Sequence, residues 1–274
     1  MSANAQTVVL IHGMWMTPRS WDNWVDHYRD RGYSAIAPGW PGVKDPAETR
    51  RDPSALEGLR LTQMVDHYEQ IIRGLDRPPI IVGHSFGGLV TQLLLSRGLG
   101  AGGVAIGTAP PKGILLLPLS TLRSAFPALK NPFDRDGLCP LSVKQFQYRF
   151  TNTLSEADSK PIYDEQYIPG ANHPFFDALG SPASVDAGMA ARPPLLLMAG
   201  GLDHISPISL NLKIKELQSK APSPTELKTY TGRTHFMAGM DGWEEIADDA
   251  LNWALEHQRA PAASEPLPSS APSQ

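Results

Sequence analysis

The sequence predicts an α/β protein, a mostly parallel sheet of about six strands with helices on both faces, plus a largely helical cap insertion. Two observations carry that prediction. Short apolar or β-branched runs alternate with longer segments of helical period, the pattern of a parallel sheet covered on both sides. The alternation then stops after residue 111 and resumes at residue 193, which marks an insertion.

The elements follow in order. TVVLIHG (7–13) reads as a buried strand, a helix around SWDNWVDHYRDRG stops at Gly32, and YSAIAPG is the next strand. After a loop rich in proline and charge, LTQMVDHYEQIIRGL places Met64, Tyr68, Ile71, Ile72 and Leu75 on one helical face, and PIIVGHS returns to the sheet. A helix from Phe86 to Gly98 leads to the strand GVAIGTA. Beyond the insertion come the strand PLLLMAGG (194–201), a helix near 208–220, the strand TELKTYTG, and a last helix from Trp243 to about His257.

The insertion holds nine of the fifteen Phe and Tyr residues, too apolar a content for a floppy linker, so it is expected to pack as a cap. Residues 1–111 and 193–257 are thus the predicted core and 112–192 the cap or lid. Residues 258–274, almost wholly Ala, Pro and Ser, are expected to be a disordered tail.

Composition excludes several classes. With 24 basic and 28 acidic residues the formal charge is −4, and no Lys/Arg run offers a surface for phosphates, so nucleic acid is not an expected partner. The single cysteine, Cys139, excludes an internal disulfide framework and supplies too little sulfur for a structural zinc site. No basic n-region with an apolar h-region opens the chain, and no long uncharged apolar stretch occurs, so a soluble, cytoplasmic protein without membrane attachment is expected.

GHSFG, Gly83 to Gly87, fits G-x-S-x-G and lies between a predicted strand and a predicted helix. Context matters here, because the five letters occur by chance in many sequences. A sharp strand-to-helix turn lifts a serine hydroxyl out of the sheet towards a base and the N-terminal end of a helix, and it crowds the residues two before and two after. Gly83 and Gly87 relieve that crowding, so Ser85 is the candidate nucleophile. A tetrahedral intermediate also needs two backbone N–H donors. Phe86 supplies one at the start of the helix, and the turn after His12-Gly13 aims that of Met14; Trp15 is expected to be a pocket wall and His12 structural.

Of eight histidines, His235 stands in TGRTHFMAG, a loop between the last strand and the last helix from which an imidazole could reach Ser85. His27, His67 and His257 fall on predicted surface helices, His84 is directed away from the nucleophile, His173 lies in the insertion, and His204 directly follows an acid. That acid, Asp203, sits after PLLLMAGG and would hold the His235 tautomer, the alternative being a cap for the following helix. Phe236 and Met237, with Trp15, are expected to line an apolar substrate pocket. GLGAGG (98–103) satisfies the dinucleotide fingerprint, but it ends a helix and precedes a strand, the reverse of what phosphate binding requires.

With Ser85, Asp203 and His235 in that order and HGMW ahead of them, the sequence resembles the α/β-hydrolase superfamily over roughly residues 7–109 and 194–257. The resemblance implies a serine triad and a cap inserted after the strand that follows the elbow helix. The usual first antiparallel hairpin is not expected, and Ser85 excludes the branches with an aspartate nucleophile. LIHGMWMTPRSWDNW also resembles the methylesterase and hydroxynitrile lyase branch of plants. The expected activity is hydrolysis of a carboxylic ester or lactone of a small, largely apolar substrate, without metal or cofactor. A hydroxynitrile-lyase-like or carbon–carbon-cleaving enzyme and a ligand receptor on the same scaffold are the alternatives.

Overall fold

A computed structural model describes residues 6–114 and 118–259. The predicted tail beyond residue 259 therefore lies outside the described residues, as do residues 115–117 of the insertion.

The first half of the chain runs β1 (Thr7–Ile11), α1 (Asp22–Asp30), β2 (Ser34–Ile36), α2 (Pro46–Arg51), α3 (Leu61–Arg73), β3 (Ile80–His84), α4 (Phe86–Ser96) and β4 (Gly102–Ile106). The intervening segment carries α5 (Leu119–Leu129), β5 (Leu138–Cys139), α6 (Val143–Phe150), α7 (Glu156–Gln166), β6 (Gly170–Ala171) and α8 (His173–Ala178). The chain returns through β7 (Leu195–Gly200), α9 (Ile208–Gln218), β8 (Thr225–Tyr230) and α10 (Trp243–His257).

Six strands form one wholly parallel sheet in the order β2-β1-β3-β4-β7-β8, as the alternation predicted. Successive side chains of a strand point to opposite faces, and β1 illustrates the result. Val9 and Ile11 join a core with Leu61, Met64 and Tyr68 of α3 and Leu89 and Val90 of α4. Val8 and Leu10 join Trp24 and Tyr28 of α1 and Ile246, Ala250 and Leu251 of α10 on the other face. Burial on both faces is why the inner strands β1, β3, β4 and β7 read as unbroken apolar runs, whereas the edge strand β8, TELKTY, is largely exposed.

Two features of the first half differ from expectation. The loop rich in proline and charge contains α2, started by Pro46 and capped by Asp45, whose side chain accepts from the Ala47 N–H. Strand β1 also ends at Ile11, before His12-Gly13, because His12 Nδ1 donates to the Gly13 carbonyl at 3.0 Å and its Nε2 accepts from the Trp40 N–H. The ring stacks on Trp40 at 4.6 Å, so it braces the loop.

The segment between β4 and β7 shares the first core: Phe146, Phe150, Tyr167 and Phe175 are buried in it beside Trp15. Trp15 fastens the two parts. Its Nε1 donates to the Cys139 carbonyl at 2.8 Å, and its own carbonyl accepts from the Ile168 N–H. The only ladder in this segment among the described residues is the antiparallel pair β5 and β6, two residues each.

Candidate active site

The order of strands reverses between β1 and β3, since the chain leaves β1 for the edge strand β2 and returns to β3 on the other side. In open α/β sheets the crevice outside the carboxyl ends at such a switch is where ligands bind. The loops after β1 and β3 carry Met14 and Ser85.

Ser85 occupies the turn between β3 and α4 with φ 56° and ψ −117°. A left-handed conformation costs a non-glycine residue about 1–3 kcal/mol, and the neighbours hold it in place. The Ser85 N–H donates to the Ile106 carbonyl at 2.9 Å and its carbonyl accepts from the N–H groups of Gly88, Leu89 and Ala109. A Cβ on Gly83 would lie 2.1 Å from the Gly87 carbonyl oxygen, and one on Gly87 would lie 2.1 Å from that of Ile11. Neither site admits a side chain, so strand and helix meet in backbone contact.

Around the serine, the N–H groups of Met14 and Phe86 donate to no protein acceptor among the described residues. Met14 is brought near by Gly13, where a Cβ would stand 2.9 Å from the Ser85 Cβ. Trp15 is the second non-glycine residue with positive φ, at 66°, and it turns the loop back over the site.

The loops after β7 and β8 bring Asp203 and His235 together. His235 Nδ1 donates to Asp203 Oδ2 at 2.7 Å, and both side chains are fully buried. The other carboxylate oxygen accepts from the N–H groups of Ile205 at 2.7 Å and Ser206 at 2.8 Å. Three donors therefore hold Asp203, and α9 is entered through Pro207 rather than capped by this acid. The pair rests on the end of β4, since a Cβ on Gly107 would approach Asp203 Oδ2 at 3.1 Å and His235 Nδ1 at 3.2 Å. His235 Nε2 is buried and has no hydrogen-bond partner, so Ser85 and His235 are not hydrogen-bonded in this state.

Ser85 lines a cavity of about 90 Å3 with Trp15, Phe86, Ala125, Leu122, Phe175 and Ile205 among its walls. No charged side chain lines it; Thr121 and Ser124 are its other hydroxyls. Phe175 meets Phe86 edge-on at 4.8 Å and Trp15 at 5.4 Å. Leu122 and Leu179 stand at the cavity with 45% and 61% exposure, which opens it to solvent.

Phe236 and Met237 require a correction, because neither lines this cavity. Met237 points into the core shared by α1 and α10 and borders a separate cleft of about 310 Å3 with Arg233 and Asp241. The Phe236 ring packs over Gly239. Trp15 does line it, as expected, and further walls come from α5 and α8, which the sequence does not resolve as elements.

The remaining histidines have other duties. His204 Nδ1 donates to the Tyr148 carbonyl at 2.8 Å and His173 pairs with Asp136 at 2.8 Å. His27, His67 and His257 are half-buried rather than solvated; His27 bonds Asp248 at 2.7 Å and His67 the Gly39 carbonyl at 3.0 Å. Burial pushes the Cys139 thiol up to about 12. Among the described residues no group of His, Cys, Asp and Glu could hold a metal ion, and no helix is long and apolar enough to cross a membrane.

An elbow serine, a buried His–Asp pair in the loops after later strands and an all-parallel sheet define an α/β hydrolase. The chain belongs to the alpha/beta hydrolase family, whose model matches residues 8–250. Its fold is similar to that of a pyrethroid hydrolase from Sphingobium faniae JZ-2, at 20% identity and a TM-score of 0.67 over 92% of this chain and 98% of that one. It is similar also to polyneuridine aldehyde esterase, at 14% identity and a TM-score of 0.67 over 92% of this chain and all of that one. The Paleococcus ferrophilus monoacylglycerol lipase aligns at 19% identity and a TM-score of 0.63 over 92% and 94% of the two chains. No curated protein matches the sequence.

Proposed function

We propose that this hydrolase is a serine enzyme that cleaves a carboxylic ester or lactone of a small, largely apolar substrate through an acyl-enzyme on Ser85. The observation that carries the reading is the buried His235–Asp203 pair, closed at 2.7 Å on Nδ1 while Nε2 is left without a partner. An imidazole fixed by a carboxylate on one nitrogen and bare on the other is a base awaiting a proton.

Ser85 Oγ approaches Nε2 to hydrogen-bond distance, about 2.6–3.2 Å, on substrate binding. As Oγ bonds to the carbonyl carbon, its proton passes to Nε2, and Asp203 stays ionised to stabilise the imidazolium. The oxyanion takes the N–H groups of Phe86 and Met14, each worth roughly 2.7–4 kcal/mol of barrier. Collapse expels the alcohol with the proton from Nε2, and water then releases the acid by the same path. Residues 112–192 act as the cap: α5 and α8 supply the apolar walls, and the small cavity and exposed Leu122 and Leu179 suit a compact apolar ester entering from solvent.

Ser85→Ala and His235→Ala should each lower turnover of a short-chain aryl ester by about 10⁴-fold with the fold intact. A fluorophosphonate should label the wild-type protein and not Ser85→Ala. Retention of most activity in either variant would refute the assignment. A panel of aryl esters, lactones and cyanohydrins then separates hydrolase from lyase.

A further inference from the structure

His84, the last residue of β3, was expected only to turn away from the nucleophile. It does, and its destination is specific: Nε2 lies 2.8 Å from the backbone carbonyl oxygen of His235. A carbonyl only accepts, so the His84 proton resides on Nε2. Burial, and then the neighbouring His235, lower the pKa of His84 to about 3, so the ring stays neutral and keeps this single donor. The two rings stand 4.7 Å apart with almost no exposure.

The loop that bears His235, residues 231–242, contains no helix or strand. Near the base it is tied to the end of α6, where the Phe150 carbonyl accepts from Thr234 Oγ1 at 2.8 Å and from the Phe236 N–H at 3.1 Å. Among the described residues, the bond from His84 is the one hydrogen bond between the Ser85 elbow and the His235 loop.

We propose that His84 is a positioning residue: by donating from Nε2 to the His235 carbonyl, it locks the loop of the base to the strand that presents the nucleophile. The proposal rests on the serine-hydrolase reading above. A core-filling role would ask only for bulk, whereas this one asks for a donor at a set reach.

Three variants separate the two. Leucine keeps apolar bulk without the donor, asparagine carries an amide too short to reach, and glutamine places an amide nitrogen about as far from Cβ as Nε2. In H84L and H84N, kcat for an aryl ester and the rate of fluorophosphonate labelling should fall about tenfold or more, with KM changed less than about twofold, and H84Q should recover to within about threefold of wild type. Unchanged rates in folded H84L overturn the proposal, as do equal losses in H84N and H84Q. If H84L does not fold, the contrast of H84N with H84Q decides. Labelling absent in S85A but unaltered in H84L and H84N refutes the role of His84 alone; labelling that persists in S85A removes the serine reading and this inference together.

Discussion

Gly83 and Gly87 show how little freedom the elbow leaves. An added methyl at either would overlap a backbone oxygen at 2.1 Å, so relief requires β3, α4 or β1 to move. Gly87→Ala should destabilise the protein by at least about 3 kcal/mol or prevent folding, measured as a lowered urea midpoint or loss of soluble protein. A midpoint equal to wild type would contradict the close approach. Those glycines, with Ser85 between them, are why the site was legible in the sequence: steric demands that only one residue type meets leave a mark in the letters. Asp203 and His235 were legible for a related reason, since strand ends fix where a loop begins. The pocket left no such mark. Met237 and Phe236 adjoin His235 in sequence, but their side chains pack into the core and over Gly239, a choice made by tertiary contacts.

The four inner strands of the main sheet are legible because burial on both faces makes each a compact apolar run, and the edge strands β2 and β8 are legible from their place in the alternation with helices. The helices between β4 and β7 were harder to read. Prolines sit inside α5 and α7, Pro127 and Pro161, and a proline in a sequence argues against a helix unless its missing N–H falls where no partner is needed. Helix α5 nonetheless gives the cavity Thr121, Leu122, Ser124, Ala125 and Leu129. Ala125→Trp should fill much of the roughly 90 Å3 and lower kcat/KM for aromatic esters by about tenfold or more, with a thermal midpoint close to wild type. Steady-state kinetics across an acyl-length series would check it, and an unchanged profile would place the substrate elsewhere.

Acid should unfold the molecule earlier than its net charge of −4 suggests. Two buried rings are uncharged in the native state: burial lowers His12 to about 4, and burial with the adjacent His235 lowers His84 to about 3. Exposed histidine titrates near about 6.5. Below that pH the unfolded chain binds protons that the native state refuses, so stability present above it is lost as the pH falls towards those values. Each ring contributes up to about 1.4 kcal/mol per pH unit over its range. Melting temperatures should therefore drop steeply between pH 6.5 and 4.5 and less steeply in H84Q; a flat profile would mean that these rings charge within the native protein.

The neighbours β4 and β7 lie side by side, yet the polypeptide travels from Ile106 to Leu195, through the whole intervening segment, before they meet. Closing so long a detour adds little to the equilibrium cost, because the entropy of ring closure grows only with the logarithm of length. Its weight falls on time. On the ribosome, the first four of the six strands must wait with an unpaired edge while four further helices emerge, and refolding from denaturant should be correspondingly slow.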